Sequence, residues 1–251
     1  MTASMKPPRC LRRTFFGAAA TALLASCQIG EPYRPEPRPG LGKYLAERAA
    51  LIVTLPEKDA TALLQKFHSS TQSTLSLSTA TPVSAEGHFL TSAHSVKALR
   101  PGDVSVILYS PGKHQRQGRV EILWKDESAD LALVRAPFST PFYYSWLPRD
   151  KWLAPGTQVI HGGITTGPEA NVGQLLTAVS GIGSRRSVRH TLRLKPGDSG
   201  GPLLTASAEL IGINRAVGYM GVMDTTFFTE SHSMRPDPAR IQTLMNRFQR
   251  P

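Results

Sequence analysis

The sequence predicts an all-β protein, for three reasons. Short apolar runs recur along the chain with polar residues between them, which is typical of antiparallel strands. Turns are abundant, since 21 glycines and 20 prolines are scattered through the 251 residues. Hydrophobic residues make up 40% and charged residues 19% of the chain, as in a globular protein rather than a disordered one. A chain of this length can bury one sizeable core or two small ones.

Two sets of strands are predicted, one after the other. Residues 137–144, rich in proline and aromatic side chains, separate them. A short helix is predicted over 56–67, as an insertion between the first two strands. The strands of the first set are 49–55, 75–84, 88–92, 104–109, 118–124 and 131–135, and those of the second set are 158–161, 174–182, 188–194, 202–205, 209–217 and 222–228.

The end of the chain is predicted to be helical. Asp237 followed by Pro238 suits a helix start, because an acidic side chain caps the first turn and proline fits the first helical position. One apolar stripe follows, formed by Ile241, Leu244, Met245 and Phe248. We therefore assign 231–251 to a C-terminal helix.

Residues 1–26 are predicted to be an export leader and not part of the fold. A basic head precedes an apolar stretch, 15–24, that is too short for a permanent membrane span. Residues 24–27, Leu-Ala-Ser-Cys, resemble a bacterial lipobox, in which Cys27 is lipidated and becomes the first mature residue. The alternative is an ordinary signal peptide with an incidental cysteine. The pair Arg12-Arg13 also resembles a twin-arginine signal, so that route and general secretion both stay open.

Residues 27–48 are predicted to tether the domain to its anchor. Four prolines lie in the thirteen residues 28–40. An extended proline-rich segment of that length would span about 40 Å. The alternative is a disordered tail.

The cysteine count and the net charge indicate whether the domain contains a disulfide and which molecules it meets. The two cysteines, Cys10 in the leader and Cys27, leave no disulfide in the domain. The leader carries four of the 29 basic residues and no acidic one, so 25 basic against 18 acidic residues leave a net charge of +7. Such a charge favours lipid headgroups or acidic substrates as neighbours. No nucleic-acid motif, metal cluster or cofactor motif is visible, so we expect no nucleic acid, metal or cofactor.

Three short motifs carry the chemistry. His94 follows an apolar strand in the segment Thr-Ser-Ala-His, Asp130 directly precedes the strand Leu-Ala-Leu-Val, and Ser199 lies in Gly-Asp-Ser-Gly-Gly-Pro. A serine hydroxyl is a poor nucleophile at neutral pH and needs a base beside it and a pocket that stabilises an anion. The glycines around Ser199 allow a sharp turn that exposes its oxygen.

This set of motifs resembles the trypsin/chymotrypsin-like serine proteases, and most closely their bacterial HtrA-like branch. The order His, Asp, Ser and the spacings of 36 and 69 residues fit that family over residues 49–248. The resemblance implies two six-stranded antiparallel Greek-key barrels (chymotrypsin-like), over 49–140 and 141–230, with a C-terminal helix. The peptide-binding (PDZ) domain that usually follows in the HtrA-like branch is expected to be missing.

The resemblance also implies a role for each site residue. Ser199 would be the nucleophile, His94 the general base, and Asp130 the group that orients the imidazole. The N–H groups of Gly197 and Ser199 would form the oxyanion hole. Asp103 and Asp126 are rivals for the acidic role, but neither directly precedes such a strand. The remaining histidines, at 68, 88, 114, 161, 190 and 232, are interpreted as surface or satisfied polar groups.

Asp198 raises a separate expectation. In trypsin-like zymogens the matching acid pairs with a newly cut N-terminus, which an acylated, tethered chain lacks. We expect backbone N–H groups or a nearby basic side chain to satisfy Asp198. The protein would then be active without proteolytic activation.

Two interpretations of the specificity pocket remain open. Family matching lines the pocket with Leu192, Arg193, Leu194, Ile213, Asn214, Arg215 and Ala216. Arg193 at the pocket floor would favour acidic side chains in the substrate. Alternation along 188–195 instead turns the basic residues outward and leaves a small aliphatic pocket.

Together these patterns predict a lipid-anchored serine endopeptidase of the bacterial cell envelope, acting on protein or peptide substrates. Gln28 follows Cys27, where an aspartate would indicate inner-membrane retention, so the outer membrane is favoured. The alternatives are a catalytically silent binding protein on a protease fold and a structural lipoprotein with a coincidental triad.

Overall fold

A computed structural model describes residues 31–65, 77–98, 100–111, 114–163, 171–182, 186–222 and 225–248. The predicted leader and the lipidation residue Cys27 lie outside these ranges, as does His68.

The first barrel is built from six antiparallel chain segments. Its strands form two sheets with the orders β2-β1-β5-β6 and β3-β4-β8-β7. Strands β2 and β3 are two parts of one chain segment, and strands β6 and β7 are two parts of another. Each of these segments lies at an edge of both sheets, so the two sheets join into a closed barrel. The strands are β1 (Ala50–Pro56), β2 (Leu77–Thr79), β3 (Thr81–Pro82), β4 (His88–Thr91), β5 (Asp103–Tyr109), β6 (Arg116–Arg119), β7 (Glu121–Asp126) and β8 (Leu131–Arg135).

The second barrel has a six-stranded antiparallel sheet with the order β11-β10-β14-β15-β16-β13. A bridge between Leu175 and His190 joins its two ends and closes it. Strands β9 and β12 form a separate pair. The strands are β9 (Trp152–Leu153), β10 (Gln158–His161), β11 (Asn171–Gln174), β12 (Val179–Ser180), β13 (Arg186–His190), β14 (Pro202–Thr205), β15 (Leu210–Val222) and β16 (Thr225–Arg235). The prediction of a chymotrypsin-like all-β fold is confirmed.

Among the described residues three α-helices flank the barrels: α1 (Leu41–Ala46), α2 (Glu57–Gln65) and α3 (Pro238–Arg247). Helix α2 lies between β1 and β2, as predicted, and its Ala60 packs against Val53, Leu55 and Val106. Helix α3 begins as predicted, since the Asp237 carboxylate accepts the N–H of Ala239 at 3.0 Å. Helix α1 was not predicted.

The core is divided between the barrels and the space that joins them. One cluster, around Phe89 and Ile107, fills the first barrel, and another, around Leu153 and Leu203, fills the second. A third cluster combines residues of both barrels with Ile241 and Met245 of α3. Helix α3 therefore packs where the barrels meet.

Several predicted strand limits were wrong. The predicted strand 174–182 is two separate strands, because β11 pairs with β10 whereas β12 pairs with β9. The predicted strand 188–194 ends at His190. Strand β16 extends to Arg235, so residues 231–235 belong to the second barrel and not to the C-terminal helix.

The predicted tether was wrong from Pro32 onward, because that part of the chain is docked on the domain. The N–H of Tyr33 donates to the carbonyl oxygen of Trp152 at 2.8 Å, and its hydroxyl donates to Glu209 at 3.0 Å. The N–H of Arg38 donates to the carbonyl of Ala206 at 3.0 Å. Leu45 is buried in the cluster between the barrels. A segment with these contacts is part of the fold and does not act as a spacer.

Helices long and apolar enough to cross a membrane are not found in the part of the chain that the structure describes.

Candidate active site

His94 stands on a short 3₁₀ helix, Ala93–Val96, directly after β4. Ala93 and Val96 are buried, so this single turn is anchored in the core and directs the intervening histidine outward. The side chain of His94 is 51% exposed. Its position at the end of a buried strand leaves the imidazole accessible to a substrate.

Asp130 ends the turn between β7 and β8. Its φ of 51° is in the left-handed region, which aspartate tolerates better than most residues. Asp126 organises the same turn, since its carboxylate accepts the Ser128 hydroxyl at 2.7 Å and the Ala129 N–H at 3.1 Å. The carboxylate of Asp126, one of the two alternatives to Asp130, is therefore used to hold this turn. The other rival, Asp103, accepts the N–H of Arg100 at 2.8 Å.

The structure brings His94 and Asp130 together. Nδ1 of His94 lies 2.9 Å from Oδ2 and 3.1 Å from Oδ1 of Asp130. The backbone N–H of His94 donates to Oδ1 at 3.0 Å. A carboxylate bound to Nδ1 leaves Nε2 as the ring atom that can exchange a proton with a substrate or nucleophile.

The electrostatic surroundings favour the ionised form of Asp130. Burial opposes ionisation, but the two hydrogen bonds from His94 and the positive charge of Arg215 together hold the pKa of Asp130 below its ordinary value. Nε of Arg215 lies 3.6 Å from Oδ2. We had placed Arg215 in the specificity pocket, and no sequence signal pairs it with an aspartate 85 positions earlier.

Ser199 lies in a turn that requires its neighbouring glycines. Gly197 and Gly200 have φ values of 98° and 82°. A Cβ on Gly200 would lie only 2.2 Å from both the Thr79 carbonyl oxygen and Oγ1 of Thr91. The turn therefore presses directly against the end of β4, the strand that delivers His94.

Backbone contacts fix the serine at that place. The carbonyl oxygen of Ser199 accepts the N–H of Thr79 at 2.9 Å, and the Thr91 hydroxyl donates to the Thr79 carbonyl at 2.9 Å. The Ser199 hydroxyl donates to the carbonyl oxygen of Arg215 at 3.4 Å. Nε2 of His94 faces Oγ of Ser92 at the same distance, 3.4 Å. Within the described residues no hydrogen bond joins Ser199 to His94.

The predicted oxyanion donors are unoccupied. Among the described residues, the N–H groups of Gly197 and Ser199 donate to no acceptor. The carbonyl oxygen of Gly197 accepts the Thr79 hydroxyl at 2.7 Å. The role of the two N–H groups as oxyanion donors stays a prediction.

Comparison with known proteins agrees with this arrangement. A family model of the trypsin-like peptidase domain matches residues 78–213, which is more than half of the chain. The chain belongs to the trypsin-like peptidase family. The matched segment contains His94, Asp130 and Ser199.

Solved structures resemble this trypsin-like peptidase at the level of the fold. A structure of the HtrA-type protease AlgW with a tripeptide aligns with a TM-score of 0.59 and 18% identity, covering 84% of this chain and 65% of AlgW. Deg5 aligns with a TM-score of 0.54 and 16% identity, covering 82% of this chain and 89% of Deg5. The chain thus spans less than two thirds of AlgW. Curated protein sequences gave no match.

In this trypsin-like peptidase, Asp198 has the backbone partner that we expected. The side chain is fully buried. Its Oδ2 accepts the N–H of Lys195 at 2.8 Å, and its Oδ1 lies 3.4 Å from Nε2 of His161. Sequence reasoning had classed His161 only as a surface or satisfied polar group.

The predicted pocket residues of the trypsin-like peptidase differ in burial and position. Leu192 and Ile213 are enclosed in the apolar core, so they do not line an open pocket. Arg193 is exposed between the buried Leu192 and Leu194, and the choice between a basic pocket floor and an outward basic face stays a prediction. Asn214 is fully buried. Ala216 lies in β15 opposite His232.

Metal-binding groups of three or more His, Cys, Asp or Glu side chains are not found among the described residues of the peptidase.

Proposed function

We propose that this protein is a lipid-anchored serine endopeptidase of the bacterial envelope, which hydrolyses peptide bonds through His94, Asp130 and Ser199. Its substrates are proteins or peptides. The AlgW structure contains a tripeptide, which is the same class of ligand. The proposal needs no cofactor.

Each residue has one task in the proposed reaction. Oγ of Ser199 attacks the scissile carbonyl carbon while Nε2 of His94 takes the hydroxyl proton. The N–H groups of Gly197 and Ser199 bind the oxyanion that forms. His94 then gives its proton to the leaving amine as the C–N bond breaks, which leaves an acyl-enzyme. Water, activated by His94, releases the acyl group and restores Ser199.

One observation carries this proposal. The Asp130 carboxylate binds both the ring and the backbone of His94, and the turn that holds Ser199 is bonded to Thr79 beside the end of β4. These contacts join three distant parts of the chain, which a coincidental set of motifs would not require.

Phosphonylation by a fluorophosphonate probe tests the reaction without knowledge of the substrate. Ser199 would attack phosphorus, its proton would pass to His94, and fluoride would leave. The full chain in detergent should be labelled stoichiometrically, the Ser199→Ala variant should not be labelled, and labelling of His94→Ala should be strongly reduced. Ser180→Ala, which removes an exposed serine of the same barrel, is the matched control and should label normally. An unlabelled wild-type protein would favour the catalytically silent binding protein instead.

Cys27 is the proposed lipidation site, and the outer membrane is the proposed location. Because residues 32–48 are docked on the domain, only residues 28–31 remain as a spacer, so we expect the peptidase to work close to the membrane surface. Mass spectrometry of the mature N-terminus should find acylated Cys27, and Cys27→Ser should release the protein from membranes. A mature N-terminus without lipid would refute the anchor and leave the peptidase proposal intact.

A further inference from the structure

A chain of buried polar side chains runs beneath the Ser199 turn. It consists of His190, Ser233, Asn214, His161 and Asp198, each at most 1% exposed. These residues come from β13, β16, β15, β10 and the turn before β14. Buried polar groups are destabilising unless they are hydrogen-bonded, so the proton positions along this chain are constrained.

The hydrogen bonds at the far end run in one direction. Oγ of Ser233 donates its single hydrogen to Oδ1 of Asn214 at 2.7 Å. Nε2 of His190, 2.9 Å from the same hydroxyl oxygen, must then be the donor of that contact. Burial lowers the pKa of His190 to about 3, so this ring is neutral at ordinary pH.

The donor and acceptor atoms around His161 determine its tautomer in the same way. Nδ2 of Asn214 lies 2.6 Å from Nδ1 of His161, and an amide nitrogen can only donate. Nδ1 therefore accepts, and the ring hydrogen is on Nε2, which lies 3.4 Å from Oδ1 of Asp198, in contact but without a hydrogen bond in this structure. The opposite tautomer would donate from Nδ1 to the Pro202 carbonyl, 3.2 Å away, but would turn the lone pair of Nε2 toward a buried carboxylate.

The absence of a side chain at Gly163 leaves room for the contact between His161 and Asp198. A Cβ on Gly163 would lie 2.4 Å from Oδ1 of Asp198 and 2.5 Å from Nε2 of His161. Any other residue at position 163 would have to displace one of the two atoms. Glycine at position 163 therefore permits the close approach of His161 to Asp198.

We propose that His161 is a positioning residue for the oxyanion turn: its Nε2–H, set by Asn214, holds the Asp198 carboxylate and thereby the backbone from Gly197 to Gly200. This inference rests on the proposed peptidase function. Asp198 is well placed to transmit the effect, because its N–H donates to the Lys195 carbonyl and its own carbonyl accepts the N–H of Gly201, both at 3.0 Å. A fixed internal partner of this kind replaces the need for a cut N-terminus.

Two substitutions of one residue separate a positioning role from a merely structural one. A glutamine at 161 places its amide N–H₂ near the position of Nε2, whereas an asparagine reaches only the position of Nδ1. With a fluorophosphonate probe, His161→Asn should lower the maximal labelling rate by about tenfold or more, because a displaced oxyanion donor typically costs at least that much. The probe concentration for half-maximal rate should change little. His161→Gln should recover most of the rate, to within about threefold of wild type.

The control is His88→Gln, which alters another buried histidine, one that bonds Ser84 at 2.8 Å in the first barrel. It should label at the wild-type rate. Equal labelling rates for wild type and His161→Asn, or equal losses for His161→Asn and His161→Gln, would overturn the proposal.

A second measurement reads the hydrogen-bond chain without activity. Long-range ¹H–¹⁵N spectra of the wild-type protein should show His161 as the neutral Nε2–H tautomer, and an Nδ1–H tautomer would overturn the inference. A wild-type protein that is never labelled would refute the peptidase function, and the spectra would still decide whether His161 donates to Asp198.

Discussion

Nε of Arg215 lies 3.6 Å from Oδ2 of Asp130, the same oxygen that Nδ1 of His94 contacts at 2.9 Å. The carboxylate thus binds two basic groups, one from each barrel. The carbonyl oxygen of Arg215 also accepts the Ser199 hydroxyl. One residue therefore contacts two members of the proposed triad, through its side chain and its backbone.

Arg215→Met should raise the pH at which the Asp130 carboxyl is protonated. The guanidinium helps to keep the pKa of Asp130 low, so its removal lets this carboxylate protonate at a higher pH. The side chain is 40% exposed, and solvent screens the pair. We therefore expect a shift of only a few tenths of a pH unit, as for exposed pairs of about 0.2–1 kcal/mol. The ¹³C chemical shift of the Asp130 carboxyl as a function of pH measures the shift. Arg215→Lys, which keeps the charge, should show a smaller shift; an equal shift in both variants would exclude the charge as its cause.

Asp130 should also make stability depend on pH. Its folded-state pKa is depressed by His94 and Arg215 despite burial, so its contribution is fully present above the pKa of the unfolded chain and is lost as pH falls through the folded value. Urea unfolding of wild type and Asp130→Asn should differ at about pH 7 and converge as the solution approaches about pH 2. Asp103→Asn provides a comparison, since the Asp103 carboxylate accepts the N–H of Arg100 at 2.8 Å. A difference that did not depend on pH would contradict this account of Asp130.

Gly200→Ala should be far more damaging than Gly156→Ala. Both glycines have positive φ, 82° and 85°, so both variants are strained to a similar degree, by about 1 kcal/mol. At Gly156 a Cβ meets nothing within 4 Å, whereas at Gly200 it would lie 2.2 Å from Thr79 and Thr91. Chemical denaturation should therefore show a clearly larger loss of stability for Gly200→Ala, accompanied by loss of labelling. Similar effects at the two positions would mean that the Ser199 turn does not press against β4.

Leu45→Ala tests the docking of the N-terminal segment. Leu45 is 3% exposed and packs in the cluster between the barrels. Truncation of such a side chain should lower the free energy of unfolding by about 2–5 kcal/mol. Lys43→Ala, on the exposed side of the same helix, should have little effect. Two variants of equal stability would indicate a free tether.

Local patterns were sufficient to predict the strands that present His94, Asp130 and Ser199, because each motif directly adjoins an apolar run. They were insufficient where long-range pairing decides the structure. The segment 174–182 reads as one strand, but Val179 pairs with Leu153 while Gln174 pairs with Gln158. The helix start at Asp237 was predictable, since the cap and the proline are adjacent in sequence.

The errors in the tether and the site have the same origin. Prolines predict extension, but they do not show that Tyr33 meets Trp152 and Glu209, more than a hundred residues away. Arg215 and Asp130 become neighbours only when the two barrels pack together, and His161 and Asp198 only when the second barrel folds. Alternation of polar and apolar residues did predict that Arg193 is exposed between two buried leucines, because alternation depends on adjacent residues alone.

Peptide mapping of the phosphonylated full-length protein tests the central claim most directly. The account predicts a single adduct, on Ser199, which forms in wild type and is strongly reduced when His94 is replaced by alanine. An adduct on another serine, or none on active-site peptides of a folded protein, would contradict it.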